Sequence, residues 1–251
     1  DRPRHDPRMD SERPRLTITF PAPAGAFDDP TAPASGKVYR PQDDSRLLVA
    51  TMQRTALIPG RRVLDLCTGS GFVAIAAAEL GCAGVTAFDI CPHAVRCSRG
   101  NAAGAGVVVD VREGSWTRAL DLAPFEVVVS NPPYVPTPPG AGPEAIPAVA
   151  GPARAWNGGG DGRSILDPLC RSAPKLLCDG GTMLMVQSAF ADAGRSLDIL
   201  RSAGMQADIV ASEPIPLGPV LMARAAWLER TGRIPRGCRE EELVVIRADK
   251  R

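Results

Sequence analysis

The sequence predicts an α/β domain built on a parallel sheet. Three observations point there. Short apolar runs bounded by turns alternate with helical patterns from Arg62 onward. A Gly-rich turn, Cys67-Thr-Gly-Ser-Gly71, joins the first run to an Ala-rich helix. A Pro-rich segment, residues 132–152, follows the fourth run, and ligands of open α/β sheets bind at such carboxyl ends.

The elements follow in order. Residues 1–36 hold seven prolines and six acids against five bases, with one short apolar stretch, Leu16 to Phe20. They read as a flexible or loosely docked arm, and residues 37–251 as a single domain. Residues 43–57 place Leu47, Leu48, Met52 and Leu57 near one helical face. Asp43, Asp44 or Ser45 can cap that helix, and Pro59-Gly60 ends it. Arg62–Leu66 is a strand and Phe72–Leu80 a helix, apolar nearly all round and so buried. Gly84–Phe88 is the next strand, ending at Asp89. Pro92–Ala103 is a helix with Pro in its first turn. Val107–Val111 and Phe125–Val129 are strands. Eight prolines in the twenty-one residues 132–152 require a loop. A helix over Arg163–Leu177, a strand over Thr182–Gln187 and a helix over Ala189–Ala203 follow. Met205–Ser212 and Glu241–Ala248 are the last strands, around a helix in Leu217–Thr231.

Composition narrows the function classes. Twenty-nine basic and 28 acidic side chains leave a net charge of +1 over 251 residues. That argues against holding nucleic acid mainly by charge, although Arg224, Arg230, Arg233, Arg236 and Arg239 are candidates for a local basic patch. Aromatics at 4% argue against a stacking platform for single strands. No run approaches the roughly 20 apolar residues that span a bilayer, and the first residues show no apolar signal core. Seven cysteines form no Cys-x-x-Cys pair, and the two histidines are His5 and His93. No metal site and no membrane contact are expected. A reducing, cytoplasmic location is.

The Gly-rich turn carries the first chemical signal. Gly69 and Gly71 lack a β-carbon, which lets a ligand approach the backbone, and a helix N-terminus follows. Asp89 ends the second strand, where a carboxylate accepts hydrogen bonds from both ribose hydroxyls. This points to an adenosine-containing cofactor. Spacing alone leaves NAD open. Asp65, however, aims a carboxylate at the turn, which repels pyrophosphate and suits a cofactor bearing an ammonium group, such as S-adenosylmethionine.

Asn131-Pro132-Pro133-Tyr134 carries the second. Two prolines fix the backbone and remove N–H donors. What remains is acceptors, the Asn131 side-chain oxygen and the Pro132 carbonyl. Two acceptors can hold the two hydrogens of an –NH2 group and aim its lone pair at an electrophile. Tyr134 can pack flat on a planar amide or base.

Together, DLCTGSG, Asp89 and NPPY resemble the class I S-adenosylmethionine-dependent methyltransferases that act on planar –NH2 groups. Among these the chain is most similar to the HemK-like protein-glutamine N5-methyltransferases, from about Val38 to Ala248. VYRPQDDSRLL, NPPYVPTPP and AWNGGGDGRSILDPL resemble the branch found in archaea and eukaryotes. Only 37 residues precede Val38, so the N-terminal helical domain of the bacterial branch is not expected. The resemblance implies a Rossmann-like sheet of seven strands, mostly parallel with an antiparallel last strand. It implies that Asn131, Pro132, Pro133 and Tyr134 hold the target amide. It implies a cofactor site of Asp65, Cys67, Thr68, Gly69, Gly71, Asp89, Ile90, Ser115 and Trp116, with Ser45 and Asn131 at the methionine end. The cofactor would be S-adenosyl-L-methionine, released as S-adenosyl-L-homocysteine. The family substrate is the glutamine of a Gly-Gly-Gln motif in peptide-chain release factors, and the short branch often works with a small zinc-binding activator protein.

Three residues depart from the family pattern. Cys67 stands in place of the first Gly of the turn, which narrows the expected methionine pocket. Ser115 stands where relatives have Asp, leaving one hydroxyl acceptor. Arg40 replaces an acid. The alternative readings are a methyltransferase of adenine N6, cytosine N4 or guanine N2, a small-molecule methyltransferase, and a non-catalytic cofactor-binding partner protein. Nucleic acid is not expected as the primary substrate, because the chain has no room for a recognition domain.

Overall fold

The computed structural model describes residues 38–140 and 146–251. The arm expected at residues 1–36 and residues 141–145 of the Pro-rich loop lie outside the described residues.

Seven strands form one sheet: β1 (Arg62–Leu66), β2 (Gly84–Asp89), β3 (Asp110–Glu113), β4 (Phe125–Ser130), β5 (Leu177–Ser188), β6 (Met205–Pro216) and β7 (Glu240–Lys250). Their order is β3-β2-β1-β4-β5-β7-β6. β1 to β5 pair in parallel, and β7 runs antiparallel to both β5 and β6. The helices are α1 (Asp43–Thr55), α2 (Phe72–Glu79), α3 (Pro92–Gly104), α4 (Leu166–Leu176), α5 (Ala193–Ser202) and α6 (Pro219–Arg230). β1 is buried from Val63 to Leu66 and β4 from Val127 to Ser130. Strands buried on both faces read as continuous apolar runs, which is why these two are plain in the sequence.

Several boundaries differ from expectation for local reasons. β3 begins at Asp110 because the Val107 N–H bonds back to the Ala102 carbonyl and closes the end of α3. The helix expected over Ala189–Ala203 is broken at Asp192. Its φ is +57°, and its carboxylate accepts the Arg195 N–H to start α5. At α1 the cap position falls on Gln42, and no side chain caps it, so Asp43, Asp44 and Ser45 sit inside the first turn. A 3₁₀ turn at Trp116–Leu122, capped by Ser115, has no counterpart in the sequence reading.

The loop after β4 is anchored from two sides. Val135 donates to the Trp156 carbonyl and accepts from Gly158, each at 2.8 Å. Gly162, at φ +79°, passes so close that a β-carbon there would lie 2.4 Å from the Tyr134 carbonyl oxygen. Arg224 of α6, 2% exposed, donates to the Pro136 carbonyl at 2.7 Å and to Asn157 Oδ1 at 2.8 Å. Its guanidinium lies 4.8 Å from the Trp156 ring centroid. Arg224 therefore belongs to the packing of this loop and leaves the candidate basic patch. Arg230, Arg233, Arg236 and Arg239 are exposed. Among the described residues, no helix is long and apolar enough to cross a membrane.

Gly71 has a packing reason as well as a conformational one. Its φ is +84°, and a β-carbon would fall 2.3 Å from Ser98 Oγ on α3. The Ser98 hydroxyl is itself buried without a hydrogen-bond partner among the described residues. Gly71→Ala is expected to destabilise the protein by about 1–3 kcal/mol. Ser98→Ala is expected to be neutral or to stabilise by up to about 1 kcal/mol. Urea unfolding of both variants checks this, and a neutral Gly71→Ala would contradict it.

Candidate active site

A cavity of about 450 Å³ opens at the carboxyl ends of β1, β2 and β4. The strand order reverses between β1 and β4, the place where open α/β sheets bind ligands. All the candidate residues except Gly71 line it. Gly71 faces α3, where its missing side chain makes room for Ser98.

The turn after β1 is held by acids. The Asp89 carboxylate accepts the Gly69 N–H on one oxygen at 2.9 Å and the Cys91 N–H on the other at 2.8 Å. Each oxygen keeps a further lone pair, so a diol can still be held. Burial raises the Asp89 pKa above the ordinary carboxylate value, against the pull of those two N–H groups. Asp65 is 1% exposed, and its Oδ2 accepts the Thr68 hydroxyl at 2.6 Å. Burial pushes its pKa up to about 7, with the Asp89 charge adding to the rise. A buried acid of this kind fits a cationic ligand group, which would favour its ionised form.

Two of the three departures, Cys67 and Ser115, have structural consequences. Cys67 adopts φ +60°, a left-handed conformation that explains why glycine suits this position. Burial pushes its thiol pKa well up. Ser115 Oγ accepts both the N–H and the hydroxyl of Thr117, at 3.4 and 3.1 Å, so its acceptor capacity is already used in capping the 3₁₀ turn. Arg40 precedes the segment that carries Asp44. Ile90, 63% exposed, and Trp116 offer apolar surface to the same end of the cavity.

At β4 a chain of hydrogen bonds fixes the Asn131 side chain. Asn131 Nδ2 donates to Ser45 Oγ at 3.1 Å, and Ser45 Oγ donates to Asp44 Oδ1 at 3.3 Å. A carboxylate offers no proton, so the direction of the chain is set from Asp44 outward. Asn131 must turn its NH2 toward Ser45, which leaves Oδ1 as the free acceptor. Asp44 is held in turn by the Tyr39 and Tyr134 hydroxyls, each 3.0 Å from Oδ2, and by the Ser45 N–H at 2.6 Å. Burial first, then the Asp44 charge, keeps both phenols well above their ordinary pKa, as donors. The Tyr134 hydroxyl is thus committed to Asp44, while its ring lines the cavity. Pro132 is buried beside Asn131.

Sequence reasoning missed three contributors. Asp44 was visible as a helix cap and as part of VYRPQDDSRLL, with no role assigned to it. Tyr39 was visible only as part of VYRPQDDSRLL, although its partner Asp44 is five residues on, and Glu241 gave no signal, because its neighbours lie far away in the chain. Glu241, at the start of β7, also lines the cavity. Burial pushes its pKa up to about 7, with Asp44 and Asp43 adding to the rise.

A sheet of this order, with its single reversed strand, is the fold of the class I methyltransferases. The Mtq2–Trm112 complex of E. cuniculi contains a chain with it, matching at a TM-score of 0.57 and 19% identity over 85% of this chain and 99% of that one. The family model described as "Methyltransferase small domain" matches residues 39–138. A protein N5-glutamine methyltransferase of Methanocaldococcus jannaschii is 30% identical over 191 residues, covering 76% of this chain and 92% of that protein. The release factor glutamine methyltransferase of Deinococcus radiodurans is 36% identical over 181 residues, covering 71% of this chain and 63% of its own length. In six bacterial release factor glutamine methyltransferases that it matches, the chain spans between 45% and 67% of their length. The chain belongs to the protein N5-glutamine methyltransferase family.

Asp65 and Glu241 carry a pH signature. Their ordinary values are 3.8 and 4.5, and both are raised to about 7. Between about pH 4 and 7 the folded protein therefore holds protons that the unfolded chain has released. Stability must fall as pH rises through that window. The Tm of the cofactor-free protein is expected to drop from pH 5 to pH 7.5, and to drop less in Asp65→Asn. Equal slopes in the two proteins would refute the assignment to Asp65.

Proposed function

We propose that the chain transfers the methyl group of S-adenosylmethionine to the side-chain amide nitrogen of a protein glutamine, of the Gly-Gly-Gln type in a peptide-chain release factor. The observation that carries this reading is the Asn131 side chain, pinned through Ser45 so that Oδ1 remains to accept. Beside it, Pro132 offers a carbonyl and no N–H. The names of the relatives support the choice of glutamine over a nucleobase. The acting unit is the single domain, residues 37–251, and the reaction is assigned to the cytoplasm, where translation terminates. A small zinc-binding activator is proposed as a further partner.

The cofactor residues fit the group they would hold. Asp89 keeps free lone pairs for a ribose diol, and Asp65 has the buried carboxyl that an ammonium would ionise. Gly69 presents backbone with nothing within 4 Å of an added β-carbon. Ile90 and Trp116 suit an adenine. S-adenosylmethionine supplies a methyl group on a positively charged sulfur and leaves as S-adenosylhomocysteine.

The protein's own task is positioning. A carboxamide nitrogen is a poor nucleophile, since its lone pair is delocalised into the carbonyl. It has no useful proton affinity at neutral pH, so a general base adds little. Two acceptors on its two hydrogens align it and raise its electron density as the new bond forms. The excess proton passes to solvent after transfer.

The test is incubation with labelled S-adenosylmethionine and the host release factors, with methyl groups located by mass spectrometry. Methylation at the Gly-Gly-Gln glutamine is expected. Asn131→Ala should lower kcat by about 10²–10³, or ~2.7–4 kcal/mol, by analogy with loss of one oxyanion-hole donor. Ser45→Ala, which frees the Asn131 amide to turn, should lose less, about tenfold. Unchanged kcat in Asn131→Ala, or methyl groups found on nucleic acid instead, would overturn the reading.

A further inference from the structure

The cavity contains one carboxylate oxygen that the reaction above leaves unused. Glu241 is 7% exposed and lines the cavity. The Ser188 hydroxyl and the Gly218 N–H lie near its carboxyl group and pull its pKa down against the effect of burial. Its Oε2 has no hydrogen-bond partner among the described residues. Asp43, Asp44, Tyr39 and Tyr134 face it. Asp44 already accepts from four donors, and both phenols already donate to it. A buried acceptor without a donor is costly, and native proteins rarely keep one unless a ligand completes it.

Position says which ligand. β7 lies two strands beyond β4, on the side away from β2 and Asp89. Two strand spacings are about 9–10 Å across the sheet, and the register sets Glu241 four residues, roughly 13 Å, further out along the strands than Asn131. The two side chains reach toward each other from these positions, and a glutamine side chain with its flanking peptide spans the remaining gap. Glu241 is therefore on the substrate side of Asn131 and not on the cofactor side. The apolar wall around it is Ile215, Pro216, Pro219, Leu221 and Leu243, and the two carboxylates beside it are engaged, Asp44 by its four donors and Asp43 by Arg46 at 3.4 Å. A buried, unpartnered oxygen whose polar neighbours are already engaged matches a ligand with one N–H. An ammonium brings three donors and a guanidinium five, most of which would be buried unpaired.

We propose that Glu241 Oε2 accepts a hydrogen bond from a main-chain N–H of the substrate polypeptide, next to the glutamine whose side chain reaches Asn131. Glu241 is then a substrate-binding residue that reads the peptide as a peptide, and it separates a protein substrate from a free base or a small amide. The inference rests on the glutamine reading of the same site.

The test uses short Gly-Gly-Gln peptides and their ester analogues, in which one backbone N–H at a time is replaced by oxygen, at the glutamine and at each neighbour. Steady-state rates are measured at pH 8, where Glu241 is ionised. Glu241→Ala is expected to raise KM about tenfold, with kcat within about twofold and S-adenosylhomocysteine affinity unchanged. One ester position should cost wild type the same factor and cost Glu241→Ala nothing more. Glu241→Gln, which keeps a side-chain carbonyl, should recover most of the loss. If Glu241→Ala melts early, the ester series in wild type and Glu241→Gln carries the comparison. An unchanged KM in Glu241→Ala, or equal ester penalties in wild type and variant, overturns the inference while the glutamine reading stands. A wild-type protein that binds S-adenosylhomocysteine yet methylates none of the peptides overturns both.

Discussion

Asp44 takes four donors into one buried carboxylate: two tyrosine hydroxyls, the Ser45 N–H and the Ser45 hydroxyl. Because a carboxylate can only accept, the Ser45 proton must point inward, and the Asn131 amide must follow it. An amide seen without its hydrogens can usually be turned either way. Here the chain of partners removes that freedom. The same carboxylate ties Tyr39, ahead of α1, and Tyr134, in the loop after β4, to the first turn of α1. Three separate pieces of chain are thus registered against Asn131.

The loop after β4 has to hold its shape without strand or helix ladders, since proline removes the donors. Its stiffness comes from outside. Arg224 reaches from α6 to the Pro136 carbonyl and Asn157, and Gly162 lets a second turn press against the Tyr134 carbonyl. Buried arginine is costly unless its donors are matched, and carbonyls freed by the proline-rich backbone match them. The turn after β1 follows the opposite logic. There N–H groups are in excess, and Asp89 gathers two of them. Cys67 in a left-handed conformation is the local cost of departing from glycine at that turn.

Much of the sheet was legible because strands buried on both faces are continuous apolar runs with turn residues between them. β1, β2 and β4 and the Gly-rich turn are plain on that basis, and the NPPY stretch stands out by composition. The antiparallel β7 came from family resemblance, since no periodicity reports strand direction. What stayed hidden were the features that depend on distant partners. Gly71 reads as a ligand-facing glycine until Ser98 is placed against it. Arg224 reads as a surface cation until Trp156 and Asn157 surround it. Ser115 is the local exception, a free acceptor in the sequence until Thr117, two residues on, donates to it. Glu241 is one acid among three consecutive glutamates, and only the fold shows which of them turns inward.

The central claim is that Asn131 presents an oxygen, not an NH2, to the group being methylated. A crystal structure of the protein with S-adenosylhomocysteine and a Gly-Gly-Gln peptide tests it most directly. The glutamine side-chain nitrogen is expected within about 3 Å of both Asn131 Oδ1 and the Pro132 carbonyl oxygen, with Asn131 Nδ2 still on Ser45. A glutamine whose carbonyl oxygen, and not its nitrogen, faces Asn131 would contradict it.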